Sequence, residues 1–432
     1  MENAQTNKKK AMWAWCFYDW ANSVFALTVM AAFFPGFFKG FWSYGVDTAV
    51  STARLGIGSA IAGLIVAALS PLVGAMAGTG SSKKNHMMGW VILGCIATAT
   101  LFWVPKGAWF VAMTTYIIAR MGFSLANLFY DALLVDVSTR GNRDMVSSLG
   151  YALGYLGCGI LFIVNLVMYK HPERFGIASG GEAVRFSFLL AALWWFIFTI
   201  PLLVYVRLQR VHRPVSVVSR IAAGLSQMRI TATRVFRDRR IAMFLLAYWF
   251  YIDGMHTIVM MATDFGLSLG LKLSSLMTAL LVVQIVAFPS AIAAGFLSQS
   301  IGATRTILVA IAIYICIAIG GGWVMRNDTH FILFAGLTGV VQGAIQALSR
   351  SMFTTMIPEG QDAAYFGFYN MVGRFAVILG PLIVGGCNLL LHRLGVGSEI
   401  AARSGFSLLA ILFIAGGTLL LKMPQTPPEH TS

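Results

Sequence analysis

The chain has 432 residues, of which 58% are hydrophobic and only 11% charged, and its formal net charge is +15. Soluble domains carry about 25% charged residues, so this chain cannot cover a water-facing surface. A soluble multidomain enzyme and a disordered scaffold are excluded, and a polytopic membrane protein remains. Cys16, Cys95, Cys158, Cys316 and Cys387 lie in apolar runs without ligand spacing. They read as small packing residues, neither a disulfide framework nor a metal site.

A hydrocarbon core about 30 Å thick takes roughly 20 apolar residues per helix. Twelve such runs are expected, at approximately 13–38, 52–76, 88–105, 108–136, 147–169, 185–206, 241–266, 273–297, 306–325, 329–357, 365–391 and 405–422. Met1–Lys10 is short and polar, and the first apolar run is too long for a signal h-region, so no cleavable signal is expected. Span one carries Tyr18, Asp19 and Asn22, the last two on one helical face. Span four has Arg120 near its midplane and Asn127, Tyr130 and Asp131 on one stripe. Asp136 closes that span and is expected to latch onto Arg140 or Arg143 as a gate. Span five opens on a glycine-lined face, Gly150 to Gly159, suited to close helix packing.

A basic stretch, 207–240, follows span six and carries nine arginines. Span seven then places Trp249, Asp253 and His256 at i, i+4 and i+7, with Asp264 near its far end. Span ten has Gln342, Gln346, Ser349 and Arg350 on one stripe, and span eleven pairs Asn370 with Arg374 at i, i+4. Trp13, Trp15, Trp42, Trp103 and Trp109 fall near span ends and read as interfacial anchors. With the N-terminus inside, Lys8–Lys10, Lys83, Lys84, Arg140, Arg143, the basic stretch, Arg305 and Lys422 share one side. The positive-inside rule then makes both termini cytoplasmic, in a bacterial inner membrane. Topology accounts for the basic charge, and nucleic acid is not an expected partner because no aromatic interleaving accompanies it.

The basic stretch divides the chain into an N-terminal six-helix bundle (1–206), a cytoplasmic linker (207–240) and a C-terminal six-helix bundle (241–432). The halves echo each other. The turn Gly74-Ala-Met-Ala-Gly78-Thr-Gly80-Ser-Ser-Lys83-Lys84 answers Gly295-Phe-Leu-Ser-Gln299-Ser-Ile-Gly302-Ala-Thr-Arg305. Phe17-Tyr18-Asp19 answers Phe250-Tyr251-Ile252-Asp253, and Leu149-Gly150-Tyr151 answers Phe366-Gly367-Phe368. Parallel six-helix repeats of this kind are a transporter architecture.

On those turns the chain resembles the major facilitator superfamily, with Gly78 and Gln299 standing where its signature has an acid. Tyr18–Ser23, Ser147–Gly157, Tyr251–Gly254, Gln342–Ser351 and Phe366–Asn370 are similar to the vacuole-effluxer-like branch. The resemblance implies an all-α integral membrane fold of about twelve helices in two pseudo-symmetric bundles. It also implies that spans one, four, seven and ten line a central cavity, and its fungal members are associated with moving amino acids out of the vacuole.

Ionisable side chains inside spans are costly and therefore functional candidates. Asp19 with Arg374, and Asp131 with Arg350, are expected as inter-half ion pairs that double as substrate or coupling residues. Asp253 with His256 is a second candidate proton site. No nucleotide loop, metal cluster or nucleophile–base arrangement is visible, so neither an enzyme nor a cofactor is expected. Mixed charge signs argue against a pore. The expected function is a monomeric, proton-coupled secondary transporter of a small polar metabolite, working by alternating access. Three guanidiniums, Arg120, Arg350 and Arg374, keep a carboxylate-bearing substrate open as the alternative. A non-transporting receptor or structural protein is the second alternative.

Overall fold

A computed structural model describes residues 2–78, 83–206, 217–268, 271, 273–358, 360–376 and 378–424. The first span starts as α1 (Glu2–Val24), widens into π-helical turns (Phe25–Phe33), passes through α2 (Phe34–Phe37) and ends in π-helical turns to Trp42. Then come α3 (Thr48–Gly78), α4 (Lys83–Thr100), α5 (Trp109–Val137), α6 (Arg143–Lys170) and α7 (Gly180–Tyr205). The linker contributes α8 (Val217–Arg237). The second half runs α9 (Arg239–Ser268), α10 (Leu273–Ile301), α11 (Ala303–Val324) and α12 (Asp328–Thr354). It closes with α13 (Asp362–Phe375), α14 (Leu379–Arg393), α15 (Ser398–Leu408) and α16 (Ala410–Leu421).

Side-chain caps set several of these helix starts. Ser179 accepts from the Glu182 amide at 3.2 Å to begin α7, and Asn327 accepts from the His330 amide at 2.9 Å to begin α12.

Among the described residues, ten helices are long and apolar enough to cross a membrane, against the twelve runs expected. The third run is α4, only 18 residues long and opened by Lys83, Lys84, Asn85 and His86. The eleventh is interrupted after Phe375 and resumes at Leu379, which leaves two helices of 14 and 15 residues. The first part of the basic linker, 207–216, lies outside the described residues; the 21-residue helix α8 follows, and the linker's last two arginines, Arg239 and Arg240, open α9.

Close approach of helices joins the two halves at the end that carries the basic turns. A Cβ on Gly74 of α3 would sit 2.3 Å from the Ala363 carbonyl oxygen of α13, and one on Gly367 2.7 Å from the Ser70 carbonyl oxygen. A Cβ on Gly295 of α10 would meet Ser148 of α6 at 2.9 Å. Two expected anchors belong to the interior instead. Trp15 and Trp42 are fully buried: α1 begins at Glu2, so Trp15 lies inside the helix, and Trp42, which ends the span, packs against Phe34, Phe37 and Phe188. Trp42 donates to the Val104 carbonyl at 3.2 Å.

Candidate functional site

Between the halves lies a cavity of about 440 Å³. Its lining runs from Asp19, Asp131 and Arg350, near the basic end of the helices, to Met30, Met325 and Phe331 at their opposite ends. Asn22, Asn127, Tyr155, His256, Gln342 and Gln346 give the wall its polar groups.

Arg350 forms the floor. It is 1% exposed and comes from α12, while its partners come from the other half. Its Nη1 donates to Asp131 Oδ1 at 3.2 Å, and its Nη2 reaches Asp19 Oδ2 at 3.4 Å. Ser147 of α6 takes two more of its donors, Nε onto Oγ and Nη2 onto the carbonyl, both at 3.0 Å. The guanidinium also lies over the rings of Tyr151 at 4.3 Å and Trp15 at 4.8 Å. Cation–π contact strengthens when water is excluded, so this cation is held by charge, hydrogen bonds and ring faces together.

The carboxylates are positioned in turn. Tyr130 donates its hydroxyl to Asp19 Oδ2 at 2.7 Å, and Trp15 stacks on Tyr130 with ring centroids 4.3 Å apart. Asn370 of α13 donates to Asp131 Oδ2 at 3.3 Å. Gly150 is what lets α6 come this close, since a Cβ there would stand 2.8 Å from Asp19 Oδ2 and 2.9 Å from the Tyr130 hydroxyl.

Polar contacts continue up the wall. Asn22 donates to Asn127 at 2.5 Å, and Tyr155 donates across the halves to Gln346 Oε1 at 2.8 Å. Gln342 Oε1 is buried without a hydrogen-bond partner among the described residues. An unfilled buried acceptor is unfavourable, so it favours a ligand that brings a donor.

Below the floor, at the basic end, Lys83 bridges the halves. It lies 2.9 Å from Asp136 at the end of α5 and 2.9 Å from Asp362 at the start of α13. Asp144 and Ser351 share a hydrogen bond across the same seam, and Ser147 Oγ donates to the Ala347 carbonyl at 2.7 Å.

Several expected placements need correction. Asp136 takes its ion pair from Lys83, while Arg143 turns its Nε to Ser138 at 3.2 Å and Arg140 stands exposed in the turn. Arg120 does not line the cavity; its Nη1 donates to the Ser59 carbonyl of α3 at 3.2 Å. Tyr18 is fully buried behind the wall, against Tyr130. Trp249 lies in a separate lateral groove. Asp253 also stays out of the lining: its oxygens accept from the amides of Leu379 at 2.8 Å and Gly380 at 2.9 Å, which start α14. It caps the resumed half of the broken span. Asp19 pairs with Arg350, and the side chains of its expected partner Arg374 and of Asp264 lie outside the described residues.

Five participants had no functional reading in the sequence. Trp15, Ser147 and Tyr151 complete the Arg350 site, and Lys83 and Asp362 form the bridge below it. The family-like segment Ser147–Gly157 contains both Ser147 and Tyr151, but their neighbours are set by how α6 crosses α12, which spacing along one chain does not encode.

Residues 44–140 and 135–427 match the family described as "Vacuole effluxer Atg22 like". The chain belongs to that family. It is 36% identical over 427 residues to "Uncharacterized MFS-type transporter YxiO" of Bacillus subtilis, covering 97% of this chain and 96% of the relative. It is also 27% identical over 314 residues to "Autophagy-related protein 22-1" of Penicillium rubens, where the match covers 67% of this chain but only 50% of the longer fungal protein. The human organic anion transporter MFSD10 has a similar structure, with a TM-score of 0.71 at 15% identity over 96% of this chain and 99% of that one. This Atg22-like chain is therefore an integral membrane transporter with the major facilitator fold.

Proposed function

We propose that this transporter carries a small zwitterionic metabolite of the amino-acid kind by alternating access, with protons as the coupling ion. The observation that carries the reading is the Arg350 floor: a single guanidinium from one half, held by two carboxylates from the other, at the closed end of the central cavity. Two carboxylates against one cation leave room for one further positive charge. A proton on Asp19 or Asp131 would fill it, and so would a substrate ammonium group reaching the floor. Either event changes the balance that holds the halves together, which is the link alternating access requires. The open acceptor on Gln342 favours the same donor-bearing ligand.

Two of the three guanidiniums behind the carboxylate alternative are engaged: Arg350 is matched twice and Arg120 is turned to Ser59, while the Arg374 side chain lies outside the described residues. By the positive-inside rule the sealed end is cytoplasmic, so the state described is outward-facing, in a bacterial inner membrane with both termini inside. The whole pathway lies within one chain, and a monomer suffices.

Uptake of radiolabelled amino acids into vesicles holding the purified protein, with and without an imposed pH gradient, tests this. Gradient-dependent uptake abolished by a protonophore is expected. Uptake of dicarboxylates but not amino acids would overturn the substrate class, uptake indifferent to the gradient would overturn the coupling, and no uptake of either class would favour a receptor.

A further inference from the structure

A second opening lies outside the transport path. It is an apolar groove of about 280 Å³, where Phe236 of the linker helix α8 meets Leu246 and Trp249 of α9 and Val372 and Phe375 of α13. Phe236 is 75% exposed and Leu246 42%, so the groove faces sideways, where a membrane protein meets lipid. From Arg239, the first residue of α9, to Trp249 the helix rises about 15 Å. One leaflet of a hydrocarbon core about 30 Å thick has the same depth.

Where α8 gives way to α9, next to the groove's lining, the chain is cationic. Arg239 precedes Ala242, Leu246 and Trp249 by three, seven and ten residues, a spacing that puts it on the stripe lining the groove. Arg237 directly follows Phe236, and both arginines are exposed. Asp238 between them offsets one of the charges, its Oδ1 accepting from the amides of Arg240 at 2.9 Å and Ile241 at 3.2 Å, and Arg237 to Arg240 keep a net positive charge. Neither Arg237 nor Arg239 has a carboxylate partner among the described residues, and Arg240 Nε is buried without a hydrogen-bond partner.

We propose that this groove is a binding site for one anionic phospholipid, its acyl chain along α9 and its phosphate on Arg237 and Arg239. An apolar slot one leaflet deep with net positive charge beside its lining matches that molecule and neither of its parts alone. The site also bears on transport. Tyr248, Ile252, Asn370 and Gly373 line the central cavity, whereas Leu246, Trp249, Met371 and Val372 of the same two helices line the groove. A bound lipid braces the cavity wall from behind and ties the linker helix to it.

Native mass spectrometry of the purified full-length protein, with phosphatidylglycerol or phosphatidylcholine of identical chains, reads this without any transport assay, so its outcome is separate from the substrate reading. One phosphatidylglycerol should be retained in strong preference to phosphatidylcholine. Each surface arginine contributes about fivefold to binding anionic lipid, so Arg237→Gln/Arg239→Gln should weaken retention roughly twenty-fivefold. Ala242→Phe, which fills the groove and keeps the charge, should also lose the lipid. Equal retention of the two lipids overturns the proposal. So does undiminished retention by Ala242→Phe, or thermal stabilisation by glycerol phosphate equal to that by the lipid, which would mark a charge site with no use for the groove.

Discussion

Two ion networks join the halves of this transporter, and each sets one cation against two carboxylates. Around Arg350 every member is nearly or fully buried, with side-chain exposures of 2%, 10% and 12% for Arg350, Asp19 and Asp131. Around Lys83 the bridge is wetter at the lysine, 18% exposed, and at Asp136, 31%, while Asp362 is buried at 7%. The chemistry matches and the surroundings differ. A buried cation that loses its partners, or partners that lose their cation, cannot fall back on water. A partly exposed pair is screened and contributes about 1 kcal/mol or less. On the proposed reading the Arg350 network should therefore decide whether the halves stay together, with the Lys83 bridge tilting the balance.

The largest effect that would sharpen this contrast is expected from Arg350→Ala. It leaves Asp19 and Asp131 facing each other without a cation, so transport should be abolished and stability should fall by about 3 kcal/mol or more, read by vesicle uptake and thermal unfolding. Arg350→Lys should restore little transport, because one ammonium cannot serve two carboxylates and two Ser147 contacts in a planar fork. Asp131→Asn should behave differently. It leaves a one-to-one pair of Arg350 with Asp19, so the protein should stay folded while gradient-driven uptake is lost.

Asp253 gives an intermediate case. Its two oxygens cap the start of α14, so Asp253→Ala should lower stability by about 1–2 kcal/mol and leave the remaining uptake dependent on the pH gradient. Loss of that dependence would make Asp253 a coupling residue after all. The smallest effect is expected from Lys83→Gln: a stability change of about 1 kcal/mol or less and slower but measurable uptake. If Lys83→Gln proved as damaging as Arg350→Ala, the contrast between a cation sealed from water and one that water reaches would fail.

Much of this could be read from the sequence, for a physical reason. Lipid tolerates few polar groups, so each one inside a span stands out, and helical spacing orders them into stripes. Asn22, Asn127, Asp131, His256, Gln342, Gln346 and Arg350 were legible in that way, and all of them line the cavity. Their cross-helix partners were not. Arg120 shares its spacing with Asn127, yet its guanidinium reaches back to α3, a choice made by helix rotation. Trp15 resembled an interfacial anchor because α1 begins further upstream than the apolar run does. Asp253 resembled a proton site because, although Gly380-Pro381 is a break signal in the apolar run 365–391, nothing along the chain says that the amides freed there meet a carboxylate from α9. The Lys83 bridge needed Asp362, 279 residues away along the chain.

If the Arg350 network holds the basic end shut, the separation of the halves at that end depends on it. Gly141 lies in the turn between α5 and α6 with open space around it, and Thr355 is exposed just beyond α12 in the other half. Spin labels on Gly141→Cys and Thr355→Cys, with exposed Cys316 and half-buried Cys387 replaced, report the separation of the halves at that end. Double electron–electron resonance in lipid nanodiscs should give a predominantly short distance in the otherwise native protein and a shift to longer distances in Arg350→Ala. An unchanged distance distribution in Arg350→Ala, with transport lost, would contradict that role and leave Arg350 as a substrate-binding residue alone.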